Sequence, residues 1–149
     1  MITVRLAKDR DLEYVEEMIS GAKCKRFNKT DLLMVGEIDG EIISTASLKT
    51  NENTGLMHSL FVKKEYRGQH IGDMTARAII NLADKKGLET LYYLCDDLEF
   101  SYFLSKMHYV PTKIEKIQES FKDYIKNDQY AFKLNLEEFF NQGCSCSNN

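Results

Sequence analysis

The segment Tyr66-Arg67-Gly68-Gln69-His70-Ile71-Gly72 joins an apolar, strand-like run, Leu56–Val62, to a run with helical spacing that ends near Gly87. A glycine-containing turn that leads into a helix presents backbone N–H groups that lack an intrahelical acceptor, and they lie at the positive end of the helix dipole. Such a turn favours an anion, usually a phosphate group. The segment therefore predicts a phosphate-binding turn between a strand and a helix.

Three strands precede this turn as an antiparallel meander. Asp39-Gly40 is the kind of dipeptide that a two-residue hairpin turn prefers, because both central residues need positive φ. It joins Leu32–Ile38 to Glu41–Leu48, and a turn-rich stretch at residues 51–55 leads into the third strand. Alternation along that strand places one set of side chains on a common face: Leu56, His58, Leu60 and Val62.

The other predicted elements alternate between strand and helix around the meander. In chain order they are a strand at residues 2–7, a helix from Leu12 to near Gly21, a helix from Ile71, a strand at Thr90–Cys95, a short helix capped by Asp97, a strand at Ile114–Ile117, a helix at Glu119–Lys126 and a strand at Tyr130–Leu136. The helix from Ile71 has a predicted buried face of Ile71, Met74, Ala78, Ile79, Leu82 and Ala83. This order predicts a mixed sheet with helices on both faces and excludes a uniform βαβ repeat.

Composition limits the class of protein. A chain of 149 residues that is 43% hydrophobic and 29% charged most simply forms one globular domain, here residues 1–140. Residues 141–149 offer little to pack and predict a flexible C-terminal tail. The net charge of −3 argues against nucleic-acid binding. Neither an N-terminal signal core nor a run of about 18 apolar residues is present, which favours a cytoplasmic protein without membrane contact.

Four cysteines occur, at Cys24, Cys95, Cys144 and Cys146. With no secretion signal, reduced thiols are expected. The C-x-C pair near the C-terminus needs at least one further metal ligand, which Cys24 would supply only if the tail folded back. No metal site is therefore predicted, and a soft-metal or redox tail is kept as a third account of the chain.

The spacing of the glycines separates the classes of phosphate-binding turn. Gly68 and Gly72 fit neither G-x-G-x-x-G nor G-x-x-x-x-G-K-[ST], which argues against dinucleotide and nucleoside triphosphate binding. Arg67–Gly72 instead resembles the [QR]-x-x-G-x-[GA] loop of the GNAT N-acetyltransferase superfamily. A second pattern of that family, N-x-x-A-x-x-F-Y-x-K-x-G-F, is similar to the stretch from Asp97 through Phe103 to Tyr109.

This resemblance covers residues 1 to about 136 and implies an α+β fold. The family sheet is mixed and mostly antiparallel, has six to seven strands splayed between strands 4 and 5, and carries helices on both faces. Acetyl-CoA would be the cosubstrate in that gap, its pantetheine amides pairing with the backbone of Leu60, Phe61 and Val62. Its pyrophosphate would accept hydrogen bonds from a run of backbone N–H groups, those of Arg67, Gly68, Gln69, His70, Ile71 and Gly72.

His70 departs from the loop pattern, because the family most often has glycine there. If this position requires positive φ, histidine costs about 1 kcal/mol more than glycine. The alternative, which the sequence favours, is a relaxed loop that tolerates histidine. In both cases the backbone N–H stays available to a phosphate.

Acetyl transfer needs a base that takes a proton from the attacking amine. His58 is the candidate base, because it lies two residues before the cofactor-pairing segment and imidazole ordinarily titrates near neutral pH. Its position matches one of two strand histidines in aralkylamine N-acetyltransferases, and Leu56 occupies the other. A histidine that simply packs in the sheet is the competing interpretation. Glu37 or Glu41, acting through water, is a weaker alternative.

An acid for the departing thiolate is harder to find. Relatives place tyrosine directly after the phenylalanine of the second pattern, where this chain has Leu104. Tyr102, Tyr109 or Ser105 would have to substitute, or the thiolate would leave unaided, and the two tyrosines are only weak candidates. Cys95, at the end of the fifth strand, is interpreted as a buried filler.

The leading hypothesis is therefore an enzyme that moves an acetyl or short acyl group from CoA to a primary amine of a small molecule or peptide by direct attack. The alternative is a catalytically weak acyl-CoA-binding module with a regulatory or interaction role. In this fold, specificity lies in Gly21–Asp31 and Pro111–Asp128, and neither carries a motif. The acceptor therefore stays open, as does the oligomeric state, for which a homodimer is one arrangement.

Overall fold

A computed structural model describes residues 1–20, 31–126 and 129–147, with the backbone alone for Gln118 and for residues 142–147. Its strands are β1 Thr3–Leu6, β2 Leu32–Ile38, β3 Glu41–Asn51, β4 Thr54–Val62, β5 Thr90–Cys95, β6 Val110–Thr112 and β7 Tyr130–Asn135. Its helices are α1 Leu12–Ser20, α2 Ile71–Lys85, α3 Phe100–Lys106, α4 Glu115–Phe121 and α5 Leu136–Ser147.

The strands of the described chain form one seven-stranded sheet in the order β1-β2-β3-β4-β5-β7-β6. Antiparallel pairing joins β1 to β2, β2 to β3, β5 to β7 and β6 to β7. The predicted mixed α/β fold with a mostly antiparallel sheet is therefore confirmed.

Contacts along the chain define two compact units, each made of two segments. The first unit comprises Met1–Lys49 and Met57–Leu82, and the second comprises Thr50–Leu56 and Ala83–Asn149. The predicted single domain over residues 1–140 stays a prediction. Within the described residues, no helix is both long enough and apolar enough to cross a membrane.

The core of the first unit lies between α1 and the hairpin of β2 and β3. Its buried side chains are Val15, Leu33, Val35 and Ile42, with Ala7, Leu12 and Met18 packed against them. The hairpin turns at Asp39 and Gly40, which have φ values of 51° and 84°. The predicted two-residue turn is confirmed, because both central residues adopt the positive φ that it requires.

Helix α2 is anchored to β3 through two buried hydroxyl groups. Ser44 Oγ lies 2.8 Å from Thr75 Oγ1, and Thr75 donates a hydrogen bond to the Ile71 carbonyl at 2.8 Å. Gly36, at the register shift between β2 and β3, makes room for this pair, because a Cβ there would lie 2.1 Å from Ser44 Oγ. The hydroxyl pair therefore holds the first turn of α2.

The buried face of α2 differs from the prediction at four residues. Met74 is 38% exposed, whereas Thr75, Ala76 and Ile80 are buried. The hydroxyl pair explains the burial of Thr75, which a periodicity based on apolar residues places on the surface. The helix bounds and its stop at Gly87, which has φ 78°, agree with the prediction.

The second unit packs α4 on strands β5 and β7. Its buried cluster contains Leu56, Ile117, Phe121, Tyr124 and Ala131. The predicted strand at Ile114–Ile117 is wrong, because α4 begins at Glu115. Ile114, Ile117 and Phe121 recur at intervals of three and four residues, and this spacing forms one face of a helix.

Two further boundaries differ from the sequence prediction. The turn predicted at residues 51–55 contains only Glu52 and Asn53, so β4 begins at Thr54. Helix α5 continues to Ser147, so the backbone of residues 141–147 is helical. The sequence had predicted no helix there, because these residues offer little to pack. Flexibility of this tail stays a prediction.

Candidate functional site

The turn between β4 and α2 has a backbone that alternates in handedness. Gly68 and His70 have φ values of 84° and 63°, whereas Gln69 between them has a negative φ. Successive residues of opposite handedness direct their N–H groups into one concave nest that suits an anion. The turn is accessible, because its residues Arg67, Gly68, Gln69 and His70 are all exposed.

Helix α2 starts directly on this turn. The Met74 N–H donates to the His70 carbonyl at 3.1 Å, which makes His70 the residue that caps the helix. The N–H groups of the next three residues, Ile71, Gly72 and Asp73, have no acceptor within the helix. The positive φ of His70 also contradicts the relaxed loop that the sequence favoured. Histidine is among the non-glycine residues that enter this region most readily, which explains why the turn keeps its form.

Interactions with the end of β4 fix where the turn begins. Arg67 Nε donates to the Val62 carbonyl at 2.9 Å, and its guanidinium carbon lies 5.5 Å from the centre of the Phe61 ring. Lys63 is held by Tyr14 Oη and by Glu41 Oε2, the latter at 3.0 Å. These hydrogen bonds, the one to Tyr14 first, raise the pKa of Lys63.

Strand β4 contains a bulge at Ser59, which has φ 56°. The two-residue turn after β3 places Asn51 opposite Thr54 and, by counting, Lys63 opposite Ile42. The Lys63 N–H instead donates to the Ile43 carbonyl at 2.8 Å, which is a shift of one residue. Such a shift is expected when a strand contains one extra residue.

The bulge changes which side chains share a face. Neighbours on a regular strand point to opposite faces, but His58 Nδ1 and Ser59 Oγ lie 2.9 Å apart. The alternation that grouped His58 with Leu60 and Val62 therefore does not hold across Ser59. The positive φ at Ser59 is the physical reason, since it interrupts the pleat.

His58 also faces a carboxylate. Its Nε2 lies 3.1 Å from Asp31 Oδ2, and the Asp31 side chain is fully buried. The pair meets the distance of an ion pair, but the ring N–H is not well directed along a hydrogen bond. His58 and Ser59 are 8% and 5% exposed, so the whole group is nearly enclosed. Asp31 and Ser59 carry no motif, and sequence reasoning missed both.

The alternative carboxylates are engaged elsewhere in the first unit. Glu37 Oε1 accepts from Arg5 Nε at 2.8 Å, and Arg5 also pairs with Asp11 at 2.7 Å. The hydrogen bond from Arg5 lowers the pKa of Asp11. Glu41 pairs with Lys63, as described above. Both glutamates thus serve surface ion pairs, which leaves His58 as the better candidate base.

The segment that was expected to supply an acid belongs to the second unit. Leu104 is fully buried in α3 and offers no proton. Tyr102 is 68% exposed, with Lys106 Nζ 4.6 Å from its ring centre. Tyr109 is buried, and burial raises its pKa well above the usual value for tyrosine. A raised pKa makes Tyr109 a poorer proton donor, so neither tyrosine gains support as an acid.

Cys95 is buried at the end of β5, as the sequence predicted. Its thiol donates to the Asp97 carbonyl at 2.7 Å, and burial raises its pKa. A thiol of this kind is a poor nucleophile. Among the residues that the structure describes, no three His, Cys, Asp or Glu side chains group as a metal site. Cys24 and the side chains of Cys144 and Cys146 lie outside the described part.

Comparisons with known proteins agree with this geometry. The model of the "Acetyltransferase (GNAT) family" matches residues 5–100. An acetyltransferase of the GNAT family from Staphylococcus aureus has a similar structure, with a TM-score of 0.77, 19% identity and coverage of 91% of this chain and 99% of that chain. The ribosomal-protein-S18-alanine N-acetyltransferase of Escherichia coli is also similar, with a TM-score of 0.73 at 13% identity. The match covers 91% of this chain and 94% of that chain.

N-acetylglutamate synthase from Neisseria gonorrhoeae, complexed with coenzyme A and N-acetyl-glutamate, is also similar. Its TM-score is 0.78 at 15% identity, and the match covers 91% of this chain but only 35% of the synthase. This chain therefore spans about a third of that protein. No curated protein matches the sequence significantly.

Proposed function

The chain belongs to the acetyltransferase (GNAT) family, and we propose that it transfers an acetyl or short acyl group from acetyl-CoA to a primary amine of a small molecule or peptide. The turn from Arg67 to Gly72 carries this proposal. It follows a strand, begins a helix, is exposed, and has the alternating φ values of an anion nest. These features suit a pyrophosphate group, such as that of CoA.

The residues of this turn would hold the pyrophosphate through their backbone rather than their side chains. Two phosphate charges at a helix N-terminus gain from both hydrogen bonds and the dipole. Lys63 is already engaged by Tyr14 and Glu41, and Arg67 by Val62. The cationic side chains therefore shape the turn, and N–H groups meet the phosphates. Leu60, Phe61 and Val62 would pair with the pantetheine amides.

His58 would act as the base of the reaction. An amine attacks only as the neutral species, so its proton must be taken up before or during attack. The buried Asp31 carboxylate lies 3.1 Å from Nε2 and would help to hold the ring in position. We propose that the thiolate leaves unaided, because Leu104 stands where an acid is expected and the thiol of CoA is itself fairly acidic.

A panel of amines tests this function directly. Thiol release from acetyl-CoA would be measured with polyamines, amino acids, aminoglycosides and peptides, and the acetylated product would be identified by mass. Release that depends on one class of amine supports the transferase. Tight CoA binding with no turnover on any amine contradicts it.

The second candidate is a catalytically weak acyl-CoA-binding module, and the burial of Leu104 favours it. Such a module would keep the turn and lack the acid. Its ligand would still stabilise the fold, because binding to the native state raises the apparent stability. A rise in Tm with acetyl-CoA but without turnover is its expected signature. A cytoplasmic location and a homodimer stay predictions.

A further inference from the structure

An apolar patch lies on the outer side of α3. Among the described residues of the second unit, the two most exposed large hydrophobic side chains are Leu98 and Tyr102, at 57% and 68%. The chain between them is helical, because the Ser101 N–H donates to the Leu98 carbonyl at 3.0 Å and α3 begins at Phe100. Residues four positions apart on a helix are neighbours on its surface. The two side chains therefore form one small patch.

Two opposite charges flank this patch. Glu99 and Lys106 are both exposed, and they lie about two helical turns apart on the same side of the helix as Tyr102. Lys106 Nζ is 4.6 Å from the centre of the Tyr102 ring, so the lysine leans over the patch. Neither Glu99 nor Lys106 forms an ion pair with any residue of the described ranges. Both charges are therefore available to a partner.

The inner side of α3 is anchored in the core of the second unit. Leu104 is fully buried and lies about 200° around the helix from Tyr102. The Phe100 ring contacts the Tyr93 ring with centres 5.3 Å apart, and it stacks on the Phe103 ring at 5.1 Å. The outer side is an exposed band about 100° wide, as helical spacing gives it. We call it the α3 stripe, and its members are Leu98, Glu99, Tyr102 and Lys106.

The α3 stripe is complementary to itself in an antiparallel arrangement. Each residue of a helix advances about 1.5 Å, so Glu99 and Lys106 lie about 5 Å to either side of a level between residues 102 and 103. A two-fold axis through that level places Glu99 of each copy opposite Lys106 of the partner subunit. Both ion pairs then form together, and the two Tyr102 rings meet near the axis. A surface that matches itself in this way is what an isologous dimer requires.

Each part of the α3 stripe has a physical role in such a contact. The Tyr102 ring supplies apolar area near the axis, and tyrosine is enriched among the residues that dominate binding. Leu98 lies at the level of Lys106 of the partner subunit and packs on its methylene stem, while the ammonium group continues to Glu99. Two antiparallel helices also place the positive end of each dipole beside the negative end of the other.

We propose that the α3 stripe is a contact surface between two copies of this chain, which meet antiparallel about a two-fold axis near Tyr102. The occupant is a second copy because the stripe carries opposite charges at its two ends, at equal distances from the apolar centre. One short helix buries little surface, which puts the contact in the weak class below about 1,200 Å². We therefore expect a weak, concentration-dependent dimer. This inference does not rest on the proposed transferase function.

Charge reversal tests the pairing. Sedimentation velocity of the full chain over a concentration series gives the dissociation constant of the dimer. Glu99→Lys and Lys106→Glu should each weaken the dimer about tenfold or more, because each variant places like charges opposite each other at two points. An equimolar mixture of the two variants should associate again, because every contact then joins opposite charges. Lys116→Glu reverses an exposed charge on α4 and, as the matched control, should leave the dimer unchanged.

Three results overturn this proposal. The first is an unaltered chain that stays monomeric up to millimolar concentration, and the second is a dimer that neither charge reversal weakens. The third is a mixture that stays monomeric although circular dichroism shows both variants to be folded. Both charges also suit the dipole of α3, so a loss in one variant alone can arise from the helix itself. Recovery in the mixture cannot, because neither chain regains its own charge.

Two further measurements keep the test decisive if a reversed charge disturbs folding. Tyr102→Ala should weaken the dimer about tenfold or more, whereas Tyr102→Phe, which keeps the ring, should stay within about twofold. Equal affinities of these two variants contradict the central position of the ring. In the unaltered, labelled full chain, the amide chemical shifts of residues 98–106 should change on dilution. Changes confined to other segments place the contact elsewhere and overturn the proposal.

Discussion

The turn from Arg67 to Gly72 and the segment from Phe103 to Tyr109 each resemble a family pattern and each depart from it, and the departures at His70 and Leu104 have different consequences. In the turn, His70 stands in place of glycine yet keeps φ 63°. In the segment, Leu104 stands in place of tyrosine and is fully buried. The first change preserves the backbone geometry, whereas the second removes a functional group.

This difference shows which kind of function survives substitution. A site built from backbone N–H groups depends on φ and ψ, so another residue that reaches the same conformation can replace glycine. A site built from a side chain depends on that side chain. The structure therefore supports cofactor binding more strongly than an acid step, and the following predictions test that contrast.

The largest effect is expected at Leu104. Leu104→Ala should destabilise the protein by about 2–5 kcal/mol, because it opens a cavity around a side chain that is now fully buried. Leu104→Tyr should cost about 1–3 kcal/mol through overpacking and should give no gain in kcat. Urea unfolding measures the first effect and steady-state kinetics the second. Tyr102→Phe, on the exposed side of the same helix, is the control for stability. A higher kcat for Leu104→Tyr than for the unaltered enzyme would show that a tyrosine at this position can still act, and would contradict this prediction.

The next effect is on the rate at His58. His58→Ala should lower kcat by about 10²-fold or more, the usual range for a general base. Affinity for acetyl-CoA, measured by calorimetry, should not change. His108→Asn is a matched control, because His108 has φ 72° and asparagine accepts that conformation. A pH–rate profile that is the same with and without His58 would remove it from the mechanism.

A smaller effect is expected from one backbone N–H of the turn. Gly72→Pro deletes that N–H in the first turn of α2, where proline is tolerated because no intrahelical bond is lost. Affinity for CoA should fall at least about tenfold, since a hydrogen bond to a charged group is worth about 1.5–3 kcal/mol. Gly72→Ala keeps the N–H and is the matched variant. Equal losses in both variants would indicate crowding by the Cβ rather than a lost donor.

Much of the fold was predictable from the sequence. The hairpin at Asp39-Gly40, helix α2 and strand β5 follow from turn chemistry and periodicity, which act over a few residues. The error at Ile114 arose because a short apolar run fits both strand and helix, and only the core of the second unit decides between them. The burial of Thr75 was missed because it depends on a distant partner, Ser44.

The site was predictable only in part, for a related reason. The turn is a local feature and is readable from glycine spacing. The group around His58 joins residues 27 or more positions apart in sequence, from Asp31 to His58, and depends on a bulge that breaks strand periodicity. Alternation alone assumes a regular strand, so it could not place Ser59 beside His58.

The smallest effect, and the most direct test of the contrast, is expected at His70. His70→Gly should raise the free energy of unfolding by about 1 kcal/mol, because glycine removes the penalty of positive φ. Affinity for CoA should stay the same, since the N–H at this position is retained. Urea unfolding and calorimetry measure the two quantities, and His70→Ala, which keeps a Cβ, should not gain stability. The contrary result is that His70→Gly weakens CoA binding while His70→Asn does not. In that case a side-chain donor at this position contributes to the site, and the turn does not bind CoA through its backbone alone.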